Sequence, residues 1–490
     1  MVRFLFLLLA LQVGVLLKAQ NHDYHWYFGY ENEAPTNSFN GGMTIDFNFT
    51  PPHVFPEKKE VDFESYTAVC SDSSGKKVLF STNGISIRNP LHHLMQNGDT
   101  LNPGYEWEIH QNYSYPSDSR LCFFPAPGLP NQYYFIHRAT QLDFSLGFRL
   151  KPLYYTLIDM NANNGLGRVV KKNQILVDST VENVNIIGPA AVKHGNGRDW
   201  WLVTGRFNTD EFLVFLFSPA GISGPFIQHI GPPYPQEEGR GNPIFTPDGN
   251  MYIRGDGRNG PRIYDFDRCT GQLSNLRIIP YTTDWGQEFV ISPNSRYLYS
   301  NNFESVVQFD LQAEDIGASA DTVAIYDGFC SPNLPWETAF FFSGLQPDGK
   351  IYYANSTSTT ALNVINRPDL PGLACDLQQH GVILPKFNHW TVPHNPNYRL
   401  GELETSPCDT LNAQQPGDGF VSNPYHPGAF PPDTTYRLCT PVPDKTQSPD
   451  IYFHRTPALE PPRPVSLRYM PGGVIREEKA EWLQFYQNKH

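Results

Sequence analysis

From about residue 24 to residue 399, short apolar runs alternate with clusters of Gly, Pro, Asn and Asp. That rhythm predicts strands joined by turns, with no long helical period. One phrase returns three times: Phe245-Thr246-Pro247-Asp248-Gly249-Asn250-Met251-Tyr252-Ile253, Ile291-Ser292-Pro293-Asn294-Ser295-Arg296-Tyr297-Leu298-Tyr299 and Leu345-Gln346-Pro347-Asp348-Gly349-Lys350-Ile351-Tyr352-Tyr353. Pro presets φ and Asp or Gly accepts the turn, so each copy predicts a β-hairpin. The prolines stand about 46 and 54 residues apart, the spacing of propeller blades. Earlier hairpins follow the same grammar: Thr67–Cys70 into Val78–Ser81, Leu121–Phe124 into Tyr133–Ile136, and Ala190–Lys193 into Trp200–Val203. Leu153–Ile158 adds a strand before a turn around Asn163-Asn164-Gly165. Six hairpins are visible, and the remaining strands fill about one more blade. The expected fold is all-β, a β-propeller over residues 20–408, of seven blades with eight as the alternative. His25-Trp26-Tyr27-Phe28-Gly29 is the expected closing strand, paired with Leu362–Ile365 or Gly381–Leu384, because an open ring would expose a sheet edge.

The two ends differ from this pattern. Arg3 precedes an apolar run from Phe4 to Leu17, then Lys18-Ala19-Gln20. The run falls short of the roughly 20 residues a membrane span needs, so residues 1–19 are expected to be a signal peptide cleaved after Ala19. No Cys follows it directly, which argues against a lipoprotein. Residues 409–490 are expected to be an irregular Pro-rich linker or tail, with a helical flavour from Val474 to Tyr486.

Charge narrows the partners. A net charge of −13 disfavours nucleic acid, which needs a basic stripe. No later segment is apolar enough to predict a transmembrane span. The seven cysteines (Cys70, Cys122, Cys269, Cys330, Cys375, Cys408 and Cys439) leave at least one thiol unpaired within a monomer, and their spacing suggests no zinc site.

Several phrases, taken in order, resemble a family of secreted Bacteroidota propellers. They are Trp26-Tyr27-Phe28-Gly29, Ser71-Asp72-Ser73-Ser74-Gly75 leading to Leu79-Phe80-Ser81-Thr82-Asn83-Gly84, and Asn89 to Gly98 with its His92 and Met95. Tyr155–Met160, Gly165-Leu166-Gly167, Ala191–Gly197 and Pro396-Asn397-Tyr398-Arg399-Leu400-Gly401 continue the series. The resemblance covers roughly residues 24–408. It implies an exported protein, at the cell surface or released, with the periplasm as the alternative. In that family the propeller usually precedes a type IX sorting domain or a gliding-motility-associated domain. The tail beyond Cys408 shows no such pattern. The family supplies no catalytic residues to carry over.

Chemical signals are sparse. Asp159-Met160-Asn161-Ala162-Asn163-Asn164-Gly165 resembles the start of a calcium loop, but Gly stands at position seven and Val170 at position twelve, so a polar turn is the better reading. Asp256-Gly257-Arg258-Asn259-Gly260 reads as a turn as well. His92-His93 would point to opposite faces of a strand and so could not share one metal. His194 sits in a Gly-rich turn where it could face solvent. No metal site, cofactor or catalytic residue is expected, calcium being the weak exception. The most interesting side chains are Trp200, Trp201, Trp285, Trp336 and Trp390, because a rim aromatic stacks well on a sugar ring or a peptide. Packing between blades is the competing use of any one of them. Trp285 and Trp336, among polar neighbours, are the best guesses for loop aromatics; Trp200 and Trp201 are the further ligand-binding candidates.

The expected function is therefore a non-enzymatic, exported binding or interaction module for a protein or polysaccharide. The alternative is a propeller hydrolase or lyase acting on a carbohydrate or lactone through scattered channel residues.

Overall fold

The computed structural model describes residues 20–30, 38–63, 67–112, 114–115, 121–138, 140–143, 147–150, 152–178, 188–234, 243–255, 259–281, 288–331, 336–403 and 408, and the backbone of 450–454, 466–470 and 476–479. The expected signal peptide lies outside these residues, as do most of the expected tail and the start of Asp256–Gly260.

Seven antiparallel sheets form the blades of a β-propeller. Blade 1 holds His25–Phe28, Met43–Asp46 and His53–Pro56; blade 2 holds Ala68–Ser71, Val78–Thr82 and Ile87–Arg88. Blade 3 is Cys122–Pro125, Gln132–His137, Leu153–Asp159 and Arg168–Val177, with a hairpin of Thr140–Asp143 and Gly147–Leu150 inserted between its second and third strands. Blade 4 is Ala190–Lys193, Trp200–Gly205, Glu211–Ser218 and Gly221–His229. Blade 5 is Ile244–Phe245, Met251–Arg254, Arg262–Phe266 and Leu273–Ile278. Blade 6 is Glu288–Ile291, Tyr297–Asn301, Ser305–Asp310 and Asp321–Ile325. Blade 7 is Phe340–Leu345, Ile351–Asn355, Thr359–Ile365 and Leu377–Asn388. Among the described residues the one α-helix is Tyr105–His110.

The six expected hairpins open blades 2 to 7. In blade 5 the Gly249 N–H donates to the Thr246 carbonyl at 2.8 Å, and the same turn recurs as Gly349 to Gln346 at 2.9 Å and Ser295 to Ser292 at 2.9 Å. Gly249 has φ +76, and a Cβ built there would meet Arg268 Cδ at 2.8 Å and Leu400 Cδ2 at 2.9 Å. Gly249→Ala is expected to cost about 1–2 kcal/mol, the left-handed penalty of an L-residue, read as a lower urea midpoint with unchanged slope.

Each sheet is covered on both faces, so alternate residues enter different cores. Trp200 and Leu202 pack against blade 3, while Trp201 and Val203 pack against blade 5. Ring closure differs from the expected strand exchange. Residues 25–28 pair with Met43–Asp46 in their own sheet, and the 362–365 and 381–384 segments lie within blade 7. Blades 1 and 7 meet mainly through side chains: Trp26, Phe28 and Met43 pack with Tyr352, Leu362 and Leu384, and the Phe387 N–H donates to the Phe39 carbonyl at 2.7 Å. The Trp26 and Tyr352 ring centroids stand 5.6 Å apart. Apolar burial between two sheets therefore seals the ring where a shared ladder was expected.

Beyond blade 7 the segment Thr391–Leu403 runs without regular structure and acts as a strap. Gln346 Nε2 donates to the Pro393 carbonyl at 3.5 Å, Asn397 Nδ2 to Pro247 at 2.7 Å, and the Tyr398 hydroxyl to Phe123 at 2.8 Å. Arg399 forks onto Asp23 with two bonds of 2.8 Å, and the Leu403 N–H donates to Gly195 at 2.8 Å. A disulfide joins Cys408 to Cys269 of blade 5. In the tail, Asp450–His454, Ser466–Met470 and Arg476–Lys479 form a three-stranded antiparallel sheet. Residues 476–479 are thus strand where a helical turn was expected, and their backbone pairs with 466–469.

Candidate functional site

The inner strands of blades 3 to 7 surround a central cavity of about 330 Å³. The repeated turn prolines Pro247, Pro293 and Pro347 line it, and the strap adds Pro396 and Asn397. Its described ionisable lining is Asp23, Cys122, His394 and Arg399. Both carboxylate oxygens of Asp23 are engaged by Arg399, and the Asn397 amide is committed: Nδ2 donates to the Pro247 carbonyl and Oδ1 accepts the Arg399 N–H at 3.0 Å. Behind this end of the cavity, Arg268 donates to the carbonyls of Lys193 at 2.8 Å, His194 at 3.2 Å and Gly401 at 2.5 Å. Desolvation holds Arg268 down to about 10 and Lys193 down to about 8. Arg268 thus fastens backbone carbonyls, while Lys193 Nζ donates to Gln20 Oε1 at 2.7 Å.

A second feature lies toward the start of the blade 7 inner strand, away from its Gln346–Gly349 turn. Five rings follow one another: Phe303 stacks on Phe341 at 5.4 Å, Phe341 meets Trp390 at 5.5 Å, Trp390 meets His389 at 4.3 Å, and His389 meets Tyr30 at 6.2 Å. All five are half-buried. Each is set at an element end. Phe303 sits in the turn after Tyr297–Asn301, His389 and Trp390 follow Leu377–Asn388, and Tyr30 follows His25–Phe28. Polar atoms fix the row. Asn301 Nδ2 donates to the Phe341 carbonyl at 2.8 Å, Trp390 Nε1 donates to Ser356 at 2.5 Å, and Ser358 Oγ meets His389 Nδ1 at 2.8 Å. Trp390 has φ +60, a conformation rarely held by a bulky residue. Desolvation pushes His389 down to about 4, so its imidazole is neutral at ordinary pH. The row presents apolar faces, one neutral ring nitrogen pair and nearby hydroxyls. That chemistry suits stacking against a flat ligand.

The expected tryptophans are dispersed. Trp200 is 1% exposed and Trp201 0%, so both are blade cores and neither offers a face to a ligand. Trp285 lies outside the described residues. Trp336 is half-buried in the connection leading to blade 7, where its carbonyl accepts the Ser331 N–H at 2.8 Å. Trp390 alone of the group joins the ring row. Phe303, Phe341 and Tyr30 were missed because single aromatics in a Phe- and Tyr-rich chain carry no signal of which end of a strand they occupy.

The polar candidates are structural. His194 is buried, a correction to the expected solvent-facing position: Nδ1 accepts the Asn196 N–H at 3.0 Å, and Nε2 donates to Cys269 at 3.1 Å. His92 and His93 lie in a turn and part company, the first to Glu57 and the second to Glu60, each at 3.4 Å. Asp159 caps its own turn through Asn161 at 2.9 Å. No group of three potential metal ligands occurs among the described residues. The Cys70, Cys122 and Cys375 thiols are buried and free, and desolvation pushes Cys122 up to about 12. No helix among the described residues is long and apolar enough to cross a membrane.

The class is a seven-bladed β-propeller with a strapped channel and a row of rings beside it. Neither a comparison with family models nor one with curated proteins finds a match. Solved structures that resemble it include a functionally unknown protein from Desulfotomaculum acetoxidans at 12% identity, covering 76% of this chain and 99% of that one, TM-score 0.38. A candidate 6-phosphogluconolactonase from Bacteroides fragilis is 15% identical over 74% and 95%, TM-score 0.43. A luciferin-regenerating enzyme is 12% identical over 76% and 97%, TM-score 0.33. At these scores the likenesses assign neither an activity nor a ligand to this chain.

Proposed function

We propose that this propeller is an exported, non-enzymatic binding module that holds a polysaccharide or protein at the cell envelope or outside the cell. The observation that carries it is the row Phe303–Phe341–Trp390–His389–Tyr30, half-buried and pinned by hydrogen bonds at Phe341 and Trp390. Aromatic faces held in place lose little entropy on binding, and ring stacking needs no charge. The secreted-propeller phrases and the apolar leader support export.

Affinity electrophoresis through gels containing neutral soluble polysaccharides tests the favoured arm. Trp390→Ala and Phe303→Ala are each expected to weaken retardation about tenfold or more, equivalent to roughly 1.4 kcal/mol, with the melting midpoint little changed. Equal retardation of wild type and both variants would remove the row from the reading. Robust turnover of a defined sugar or lactone, abolished by one channel substitution, would replace binding with catalysis.

A further inference from the structure

We infer that Arg254 and Arg262, between blades 4 and 5, form a binding site for an oxyanion, a phosphate or carboxylate group. The two residues are register partners on adjacent strands of blade 5, so they face the same side of the sheet. Arg254 is 0% exposed and Arg262 6%. The Arg254 guanidinium lies over the Phe212 ring at 4.6 Å and the Tyr234 ring at 4.2 Å, and Arg262 lies over the same Tyr234 ring at 4.8 Å.

Aromatic faces above a guanidinium leave its in-plane N–H groups to be satisfied by something else. Arg262 places Nη1 on the Pro232 carbonyl at 2.8 Å and Nη2 near Pro233 at 3.4 Å, while its Nε has no acceptor. For Arg254, none of the three nitrogens has one. The carboxylate next in sequence to Phe212, Glu211, is taken by Arg206 Nη1 at 3.0 Å. Among the described residues no carboxylate pairs with either guanidinium, and two like charges directly opposite each other and out of water are strongly unfavourable. An oxyanion supplies the counter-charge, and its paired oxygens match the guanidinium fork. Cation–π contact orients the fork and offsets only part of the desolvation.

The site lies one register beyond Ile244, which lines the central cavity, because Ile253 pairs with Ile244. The Arg254 nitrogens are shielded from solvent, so entry needs local opening and binding is slow.

Thermal melts in inorganic phosphate, in acetate and in chloride, at equal ionic strength, test this. The wild-type midpoint is expected to climb with phosphate or acetate beyond the chloride control, and a response to one alone assigns the anion class. Arg254→Leu is expected to lose that excess response while melting in chloride no lower than wild type, since it removes an uncompensated buried charge. Arg254→Lys, which keeps charge without the fork, is expected to weaken the response at least tenfold in apparent affinity. Phosphate also stabilises proteins by exclusion from their surface, so the difference between wild type and variant is the readout. No excess over chloride in wild type, or an equal excess in both variants, overturns the site.

Discussion

Cys408→Ser is expected to lower stability by about 5 kcal/mol, the scale for a bridge closing a loop of more than a hundred residues. The bridge to Cys269 spans a sequence separation of 139 and ends the strap. Upstream, Asn397, Tyr398 and Arg399 keep their own anchors on Pro247, Phe123 and Asp23, and Tyr398 is 1% exposed among the side chains of blades 3 and 4. The loss should therefore be graded along the strap. Hydrogen exchange at Leu403, whose N–H donates to Gly195, should accelerate strongly, while the protection near Tyr398 should fall only with global stability. Reduced wild type should reproduce the variant. Identical denaturation midpoints for oxidised wild type and Cys408→Ser would show that the strap does not depend on the bridge.

Stability is also expected to fall steeply below neutral pH, with His137 the largest single contributor. His137 is 0% exposed between Asn102 Oδ1 at 2.7 Å and Thr156 Oγ1 at 2.8 Å. Asn102 Nδ2 is spent on the Gly84 carbonyl, so its Oδ1 must accept. His137 Nδ1 therefore donates and Nε2 accepts from Thr156, and the ring has no room for a second proton. Desolvation lowers it from 6.5 to about 3. Its folded value lies below its unfolded value, so its contribution is complete above pH 6.5 and is lost as pH falls toward 3. The shift corresponds to roughly 5 kcal/mol. His22, His25 and His194 are lowered in the same direction by burial, and His389 to about 4. Each adds up to about 1.4 kcal/mol per pH unit inside its window. Urea melts between pH 7.5 and 4 should show this slope, and His137→Gln, which cannot protonate, should flatten it by about one proton. An unchanged slope in that variant would mean the imidazole is already charged in the folded state.

Asn397, Tyr398, Arg399 and Gly401 each make a specific anchor, so Pro396–Gly401 reads as a fastener for the ring. That role was invisible in the chain because its partners, Pro247, Phe123, Asp23 and Arg268, lie far away in sequence. The Trp200-Trp201 pair failed as a ligand site for a related reason. Period-two alternation puts neighbours on opposite faces, and in a propeller both faces of a sheet are covered. The same burial took His194 out of solvent. The expected closing strand was misplaced because its apolar residues fit either a ladder or a packed face, and periodicity does not distinguish the two.

Local chemistry alone determined the hairpins: the thrice-repeated Pro-Asp-Gly phrase, the alternation around it and the blade spacing. These depend on φ preferences and on side chains a few residues apart, so they are written in the chain. Ring closure, the strap, the row from Phe303 to Tyr30 and the packing of Phe212 and Tyr234 on Arg254 were decided only by the tertiary structure. Each joins residues from different blades or loops, and which distant side chains meet depends on how neighbouring sheets stack, a property no local pattern encodes.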